Sequence, residues 1–252
     1  MRATEITRET PPGHFNALFL KDIRPLDTPD FLDVLRQAHS QQAFVFWNHQ
    51  GWQGEEKGRW LDVHRTIYDN QWLHGMEVAN GDDYYPSAHK WCLEKNLTML
   101  GNTNLHDPDL RLENTSKDHR TMTLVLAKER TLGGLKEALQ AGRTVVWFQD
   151  RLIGREELLR PFFDACIQIG KPTVATKKSR TIEVRNACQA DIILEQKGQA
   201  QPIPILLPAR STVLMSVSAT DESKPVNVEY TAKNFLIAPG QNLAVRIHIP
   251  SP

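Results

Sequence analysis

From Phe15 to about Gly170, short apolar runs alternate with amphipathic stretches. The apolar runs predict strands over Phe15–Leu20, Ala43–Trp47, Gly75–Ala79, Leu97–Leu100, Met122–Ala127 and Thr144–Phe148. Helical spacing of apolar positions predicts helices over Pro29–Ser40, Trp60–Asn70, Pro86–Lys95, Leu132–Ala141 and Arg155–Ile169. Thr28 can cap the helix that opens with Pro29, Thr131 can cap the fourth, and Gly142 can close it in a left-handed conformation. Strands joined through helices imply a parallel sheet covered by helices. After Lys171-Pro172 the helical period is lost. Six β-rich runs follow, Thr181–Arg185, Ile192–Glu195, Ile203–Leu207, Ser211–Ser218, Val226–Tyr230 and Leu243–Ile249, separated by turn residues such as Gly198, Pro208 and Pro239-Gly240. That spacing predicts a small antiparallel sandwich over 177–252 behind an α/β domain over 1–176.

Two histidines sit just beyond apolar runs, His49 after AFVFWN and His106 after LTMLGNTNL, with Glu5 and His14 upstream. The C-terminal ends of parallel strands are where such folds gather their chemistry, and residues this far apart can meet only there. Carboxylate and imidazole are donors suited to Zn, Mn or Fe. Glu77 ends a predicted strand and is placed to support an imidazole. Asn48 and Asn102 flank the strand-end positions and are placed to orient ligands or water. Trp52 is the aromatic best placed to line a pocket for an organic ester group, and Arg143 and Lys128, near strand ends, are candidates to pair with a substrate phosphate. His39, His64, His74, His89, His119 and His248 are read as hydrogen-bonded structural residues.

Composition narrows the classes. Lysine plus arginine equal aspartate plus glutamate, 30 each, over 252 residues, so no global field favours nucleic acid or an anionic membrane. No apolar stretch reaches the roughly 18 residues of a membrane span, and the first residues, MRATEITRETPPGH, lack the apolar core of a signal peptide. Cys92, Cys166 and Cys188 are odd in number and widely spaced, which reads as buried thiols rather than a disulfide framework or a metal knuckle.

In order along the chain stand TEIT (4–7), PPGHFNALF (11–19), FVFWNHQGW (44–52), GMEVANG (75–81), GNTNLHDP (101–108), TLVLAKERT (123–131) and ALQAGRTVVWF (138–148). In that order they resemble the polymerase and histidinol phosphatase (PHP) superfamily, and more closely its phosphodiesterase branch with a C-terminal β-domain. The resemblance covers nearly all the chain. It implies a distorted β/α barrel holding up to three divalent metal ions at the strands' C-terminal ends, and hydrolysis of phosphate mono- or diesters by metal-activated water. Position by position, Glu5 matches the glutamate that bridges two metals, His14 and His49 the histidines completing one of those sites, and His106 the histidine of the final Asp-x-His motif.

Two departures qualify the match. The family's opening His-x-His motif and its Thr-Asp-His segment belong upstream of Glu5, and the aspartate of Asp-x-His is Asn104, a poorer ligand for a hard dication. The expectation is therefore an N-terminally truncated PHP-type barrel followed by the sandwich, with a signal peptide able to lie in the absent part. One metal position, built from Glu5, His14 and His49, keeps all its matched ligands; another keeps only Glu5 and a third only His106. Activity is expected to be impaired in the chain as written. The rival readings are a non-enzymatic PHP descendant acting as a binding or interaction protein, and a hydrolase of the amidohydrolase kind. The expected partner is a small organic phosphoester, with no nucleic acid and no membrane, and the β-domain is available for packing or a homo-oligomeric contact.

Overall fold

A computed structural model describes residues 1–108, 115, 118–176, 178–198, 200–219, 221 and 223–251. The chain is mixed α/β and divides into two compact units, Met1–Asp109 with Arg120–Phe148, and Leu110–His119 with Gln149–Pro252. Among the described residues no helix is long and apolar enough to cross a membrane.

The first unit runs β1 (Ala3–Ile6), β2 (Phe15–Leu18), α1 (Phe31–Ser40), β3 (Phe44–Trp47), α2 (Asp62–Asp69), β4 (Gly75–Asn80), β5 (Asp83–Tyr84), α3 (Pro86–Glu94), β6 (Thr98–Asn102), β7 (Met122–Val125), α4 (Leu132–Gln140) and β8 (Thr144–Phe148). Strands β3, β4 and β6 pair in parallel, as helical connections demand. β1 pairs antiparallel with β2, and β2 antiparallel with β3. The link from β1 to β2 holds no helix, and a parallel crossover needs a dozen residues or so, so those two strands turn back on each other. β7 and β8 are likewise antiparallel. Thr144 Oγ1 donates to the Met99 carbonyl at 2.7 Å, and a Cβ on Gly101 would meet Val146, so β8 runs beside β6 in the same sense.

Local chemistry fixes the ends. Thr131 caps α4 as expected, accepting from Gly134 N, and Gly142 follows the helix at φ +66°. The cap of α1 is Asp30, which accepts from Asp33 N, so this helix starts at Phe31 and not at Pro29. The core gathers on both faces of β3. On one, Trp47 stacks on His64 with ring centroids 3.9 Å apart and lies 5.9 Å from Phe15; on the other, Phe44 and Phe46 pack with Leu100 and Leu139. Gly13 has φ +94°, and a Cβ there would stand 2.8 Å from Trp47 Nε1, so this turn before His14 requires glycine.

The second unit contains β9 (Arg151–Ile153), α5 (Glu156–Cys166), β10 (Ile167–Ala175), β11 (Ser179–Asn186), β12 (Ile192–Gln196), β13 (Ile205–Leu207), β14 (Thr212–Ser218), β15 (Val226–Ala238) and β16 (Gln241–Ile249). All six predicted β-runs are strands. The helix expected to reach Ile169 stops at Cys166, because Ile167–Ala175 pairs antiparallel with β11. β11 pairs in turn with β14, while β12, β13, β15 and β16 form antiparallel pairs of their own, with β9 parallel to β15.

Asn234, 2% exposed, ties this unit together. Its Oδ1 accepts from Ile193 N at 3.0 Å, and its Nδ2 donates to the Asp150 and Asp191 carbonyls at 2.8 Å each. Asn234→Ala removes three part-buried hydrogen bonds to the backbone and is expected to cost about 2–4 kcal/mol of stability. Urea unfolding of the full chain measures it, and a loss below about 0.5 kcal/mol, the level of an ordinary surface substitution, would contradict the assignment.

Candidate metal centre

The antiparallel register of β2 with β3 pairs Phe15 with Trp47, so the residues just outside the pair, His14 and Asn48, are neighbours, and Asn48 N donates to the His14 carbonyl at 2.9 Å. His49, one residue further, brings its ring to 5.0 Å from that of His14 in a T-shaped arrangement. On the other side β1 pairs with β2, and Glu5 Oε1 lies 3.3 Å from His14 Nδ1. One carboxylate oxygen and one nitrogen from each imidazole lie within 4.8 Å of one another. Three strand ends thus bring together residues that span 45 positions of sequence, Glu5 to His49.

The arrangement suits a cation. Burial is the main cause that lowers the pKa of His49, helped by its proximity to His14 and opposed by its backbone and by Glu5. The ring is therefore neutral at physiological pH, the form in which imidazole donates a lone pair. His49 Nδ1 and the Asn48 side-chain oxygen are buried with no hydrogen-bond partner among the described residues. A carboxylate with two imidazoles is a donor set for a divalent transition ion, so the residues present fit such a group.

His49 has φ +26°, an uncommon value for a residue with a side chain. Its backbone N–H donates to Glu77 Oε2 at 2.5 Å. Glu77 is 2% exposed and also accepts from Asn80 Nδ2 at 2.8 Å and Asn102 Nδ2 at 2.6 Å. Burial outweighs these three donors and pushes the carboxyl up to about 7, with Glu5 adding to the rise. Glu77 therefore holds the backbone of His49, whereas the sequence pointed to an imidazole ring as its partner.

The remaining candidates divide. His106 is exposed and stands outside the cluster of three, although it lines the same two cavities as Glu5 and His49, each of about 580 Å³. Asn104, at φ +50°, lines both cavities as well. Trp52 is half exposed, with its ring 5.9 Å from His14 and 5.6 Å from His49, and forms a wall of the second cavity. Arg143 and Lys128 are at the other end of the strands. Arg143 precedes the start of β8, and β7 runs antiparallel to β8, so its exit toward Lys128 is at that same end. Arg143 there donates to the Leu126 carbonyl and pairs with Glu137. Neither lines either cavity, and among the described lining residues there is no lysine or arginine side chain.

Asn80, Asp83 and Tyr85, all on the cavity walls, went unread in the sequence. A register shift between Glu77 and Ala79 turns Asn80 to the face of Glu77, which strict alternation conceals. The histidines read as structural are engaged elsewhere. His64 bonds Leu61 N and the Pro12 carbonyl, His74 accepts from Val45 N, His89 meets the Tyr84 hydroxyl, His119 the Gln149 carbonyl and His248 the Asn227 side chain, while His39 lies beside the Trp72 ring.

An α/β unit with a carboxylate and two imidazoles at its strand ends, in a chain that continues into a β-rich unit, defines a two-part protein with a candidate metal centre. The chain superposes on the crystal structure of a two-domain protein from Bacteroides vulgatus ATCC 8482, described as containing a predicted PHP-like metal-dependent phosphoesterase, with a TM-score of 0.89 and 38% identity over 98% of this chain and 74% of that one. It belongs to that PHP-like family. Residues 167–248 match a family model described as an Ig-like domain, and no curated protein matches the chain.

Proposed function

We propose that the chain is a metal-dependent phosphoesterase that binds one divalent ion, Zn, Mn or Fe, through Glu5, His14 and His49 and hydrolyses phosphodiesters in preference to monoesters. The observation that carries this reading is the convergence of the three donor atoms within 4.8 Å, and the PHP-like relative supports the reaction class. An ion there supplies Lewis-acid chemistry: it makes water more acidic and offsets negative charge on a phosphoryl oxygen. In this reading the first unit is a PHP-type barrel and the second a small sandwich.

The chain's own residues supply the rest. Glu77 fixes the His49 backbone, so the imidazole is held before any ligand arrives. Trp52 and Tyr85 present apolar surface to the ester's organic groups beside the donors. His106 and Asn104 border the same space and are placed to contact a phosphoryl oxygen or its leaving group.

The preference for diesters follows from charge. A monoester carries close to two negative charges at neutral pH and a diester one. The described cavity walls carry Glu5, Glu77 and Asp83 and, apart from the imidazoles of His14, His49 and His106, no basic side chain. A second anionic charge roughly 8 Å from a carboxylate costs on the order of 2 kcal/mol at an effective dielectric of about 20. The chain reconstituted with Zn or Mn is therefore expected to show kcat/KM for bis(p-nitrophenyl) phosphate at least about tenfold above that for p-nitrophenyl phosphate. Preference for the monoester would overturn the charge argument. Ion binding without turnover of either ester would favour the binding-protein reading, and turnover of lactones or amides alone would favour the amidohydrolase one.

A further inference from the structure

Two of the three thiols meet in the β-rich unit. Helix α5 ends at Cys166, and β10 begins at the next residue. The register of β10 on β11 pairs Ile167 with Asn186, and one step beyond it Ala187 N donates to the Cys166 carbonyl at 2.8 Å. Cys188 is pinned beside it: its N–H donates to Asn186 Oδ1 at 3.0 Å, and its thiol donates to the Ala190 carbonyl at 3.1 Å. Asn186 is fully buried and donates to the Ala190 and Leu207 carbonyls at 2.9 Å each, which holds the turn that carries Cys188. The two thiols stand close enough to influence each other's ionisation. The proximity of the partner thiol is the main cause drawing Cys188 down to about 7, and with burial it pushes Cys166 well up. Cys188 is half-buried and Cys166 buried, so the accessible thiol is also the more ionised one. Cys92 lies on α3, buried in the other unit.

We infer that Cys166 and Cys188 are a disulfide-forming pair, a site at which a low-molecular-weight disulfide closes a covalent link between the end of α5 and the turn after β11. The Cys188 thiolate attacks one sulfur of the small disulfide; its S–S bond breaks, a small thiolate leaves, and a mixed disulfide forms at Cys188. Cys166 gives its proton to solvent and attacks the Cys188 sulfur, and the second small thiolate leaves. Two protein thiols are oxidised, and one small disulfide is reduced to two thiols that take up the protons. The backbone bond from Ala187 to the Cys166 carbonyl already holds the two cysteine-bearing segments side by side, so little backbone movement stands between the dithiol and the bond.

The test equilibrates the full chain in glutathione buffers from reducing to oxidising, then quenches with acid, alkylates and maps peptides by mass spectrometry. The expected result is a Cys166–Cys188 linked peptide, about 2 Da below the sum of the dithiol peptides, that rises with a single two-electron midpoint and disappears on reduction. Cys92 stays alkylated throughout, and the oxidised chain melts higher by about 5 °C or more. Cys188→Ser and Cys166→Ser, made separately, each lose the link and the melting response. Alkylation of both thiols across the whole series, a stable glutathione adduct on Cys188 with Cys166 still alkylated, or a link through Cys92 would each overturn the inference.

Discussion

Replacing His49 with asparagine is expected to weaken divalent-ion binding by more than about 100-fold and to remove ion-dependent ester hydrolysis. Even partners one contact away from an ion change affinity by about 10–100-fold, and loss of one donor out of three exceeds that. Asparagine is the substitution of choice because His49 sits at φ +26°, where an alanine would add backbone strain and asparagine is better tolerated. The fold is thereby kept while the imidazole is lost. His106→Asn is the companion variant. His106 is exposed and outside the three-donor cluster, so its loss is expected to leave ion affinity within about threefold, far short of a lost ligand, and to act on turnover instead. Isothermal titration with Zn or Mn on both variants makes the comparison. Equal affinities, or the larger loss at His106, would place the ion elsewhere.

The second large effect is a pH-dependent change in stability through Glu77. In the folded chain burial holds its carboxyl at about 7, against 4.5 for an unperturbed glutamate. A raised folded value means that the folded state binds the extra proton. The resulting stabilisation is complete below about 4.5 and is lost as pH rises through about 7. The difference corresponds to on the order of 3 kcal/mol. Glu77→Gln removes the titration. The stability of the parent chain relative to this variant, in ion-free buffer, is therefore expected to fall by about 2–3 kcal/mol between pH 5 and 8. Glutamine also turns an amide N–H₂ toward one of the three donors from His49, Asn80 and Asn102. With the glutamine oxygen at the Oε2 position the His49 bond is kept, so ion affinity is expected to fall by less than about tenfold. Parallel unfolding curves for the two proteins across that pH range would contradict the account of Glu77.

The place of His49 was legible because FVFW is an uninterrupted apolar run and a histidine two residues past it must lie beyond the strand end, whereas its grouping with Glu5 and His14 came from the resemblance to the PHP superfamily. β1 was harder to read. Within Ala3–Ile6 only Ile6 is buried, so its pairing rests on backbone hydrogen bonds to β2 that leave no apolar signature. Apolar periodicity also carries no strand direction, which is why Arg143 and Lys128 looked available to a phosphate while standing at the far end of β7 and β8. Ile167 and Ile169 extend the apolar spacing of α5 equally well as helix or strand, and pairing with β11 decides for strand. The same pairing brings Cys166 to Cys188, a proximity that spacing along the chain gives no means of seeing.

The position of the ion decides between a metal centre at Glu5, His14 and His49 and none there. Anomalous diffraction from crystals of the chain grown with Zn or Mn is expected to show a peak in contact with the Glu5 carboxylate and the His14 and His49 rings, and that peak is expected to vanish in His49→Asn. Metal peaks only at other positions, with these three side chains bonded to protein groups alone, would contradict it.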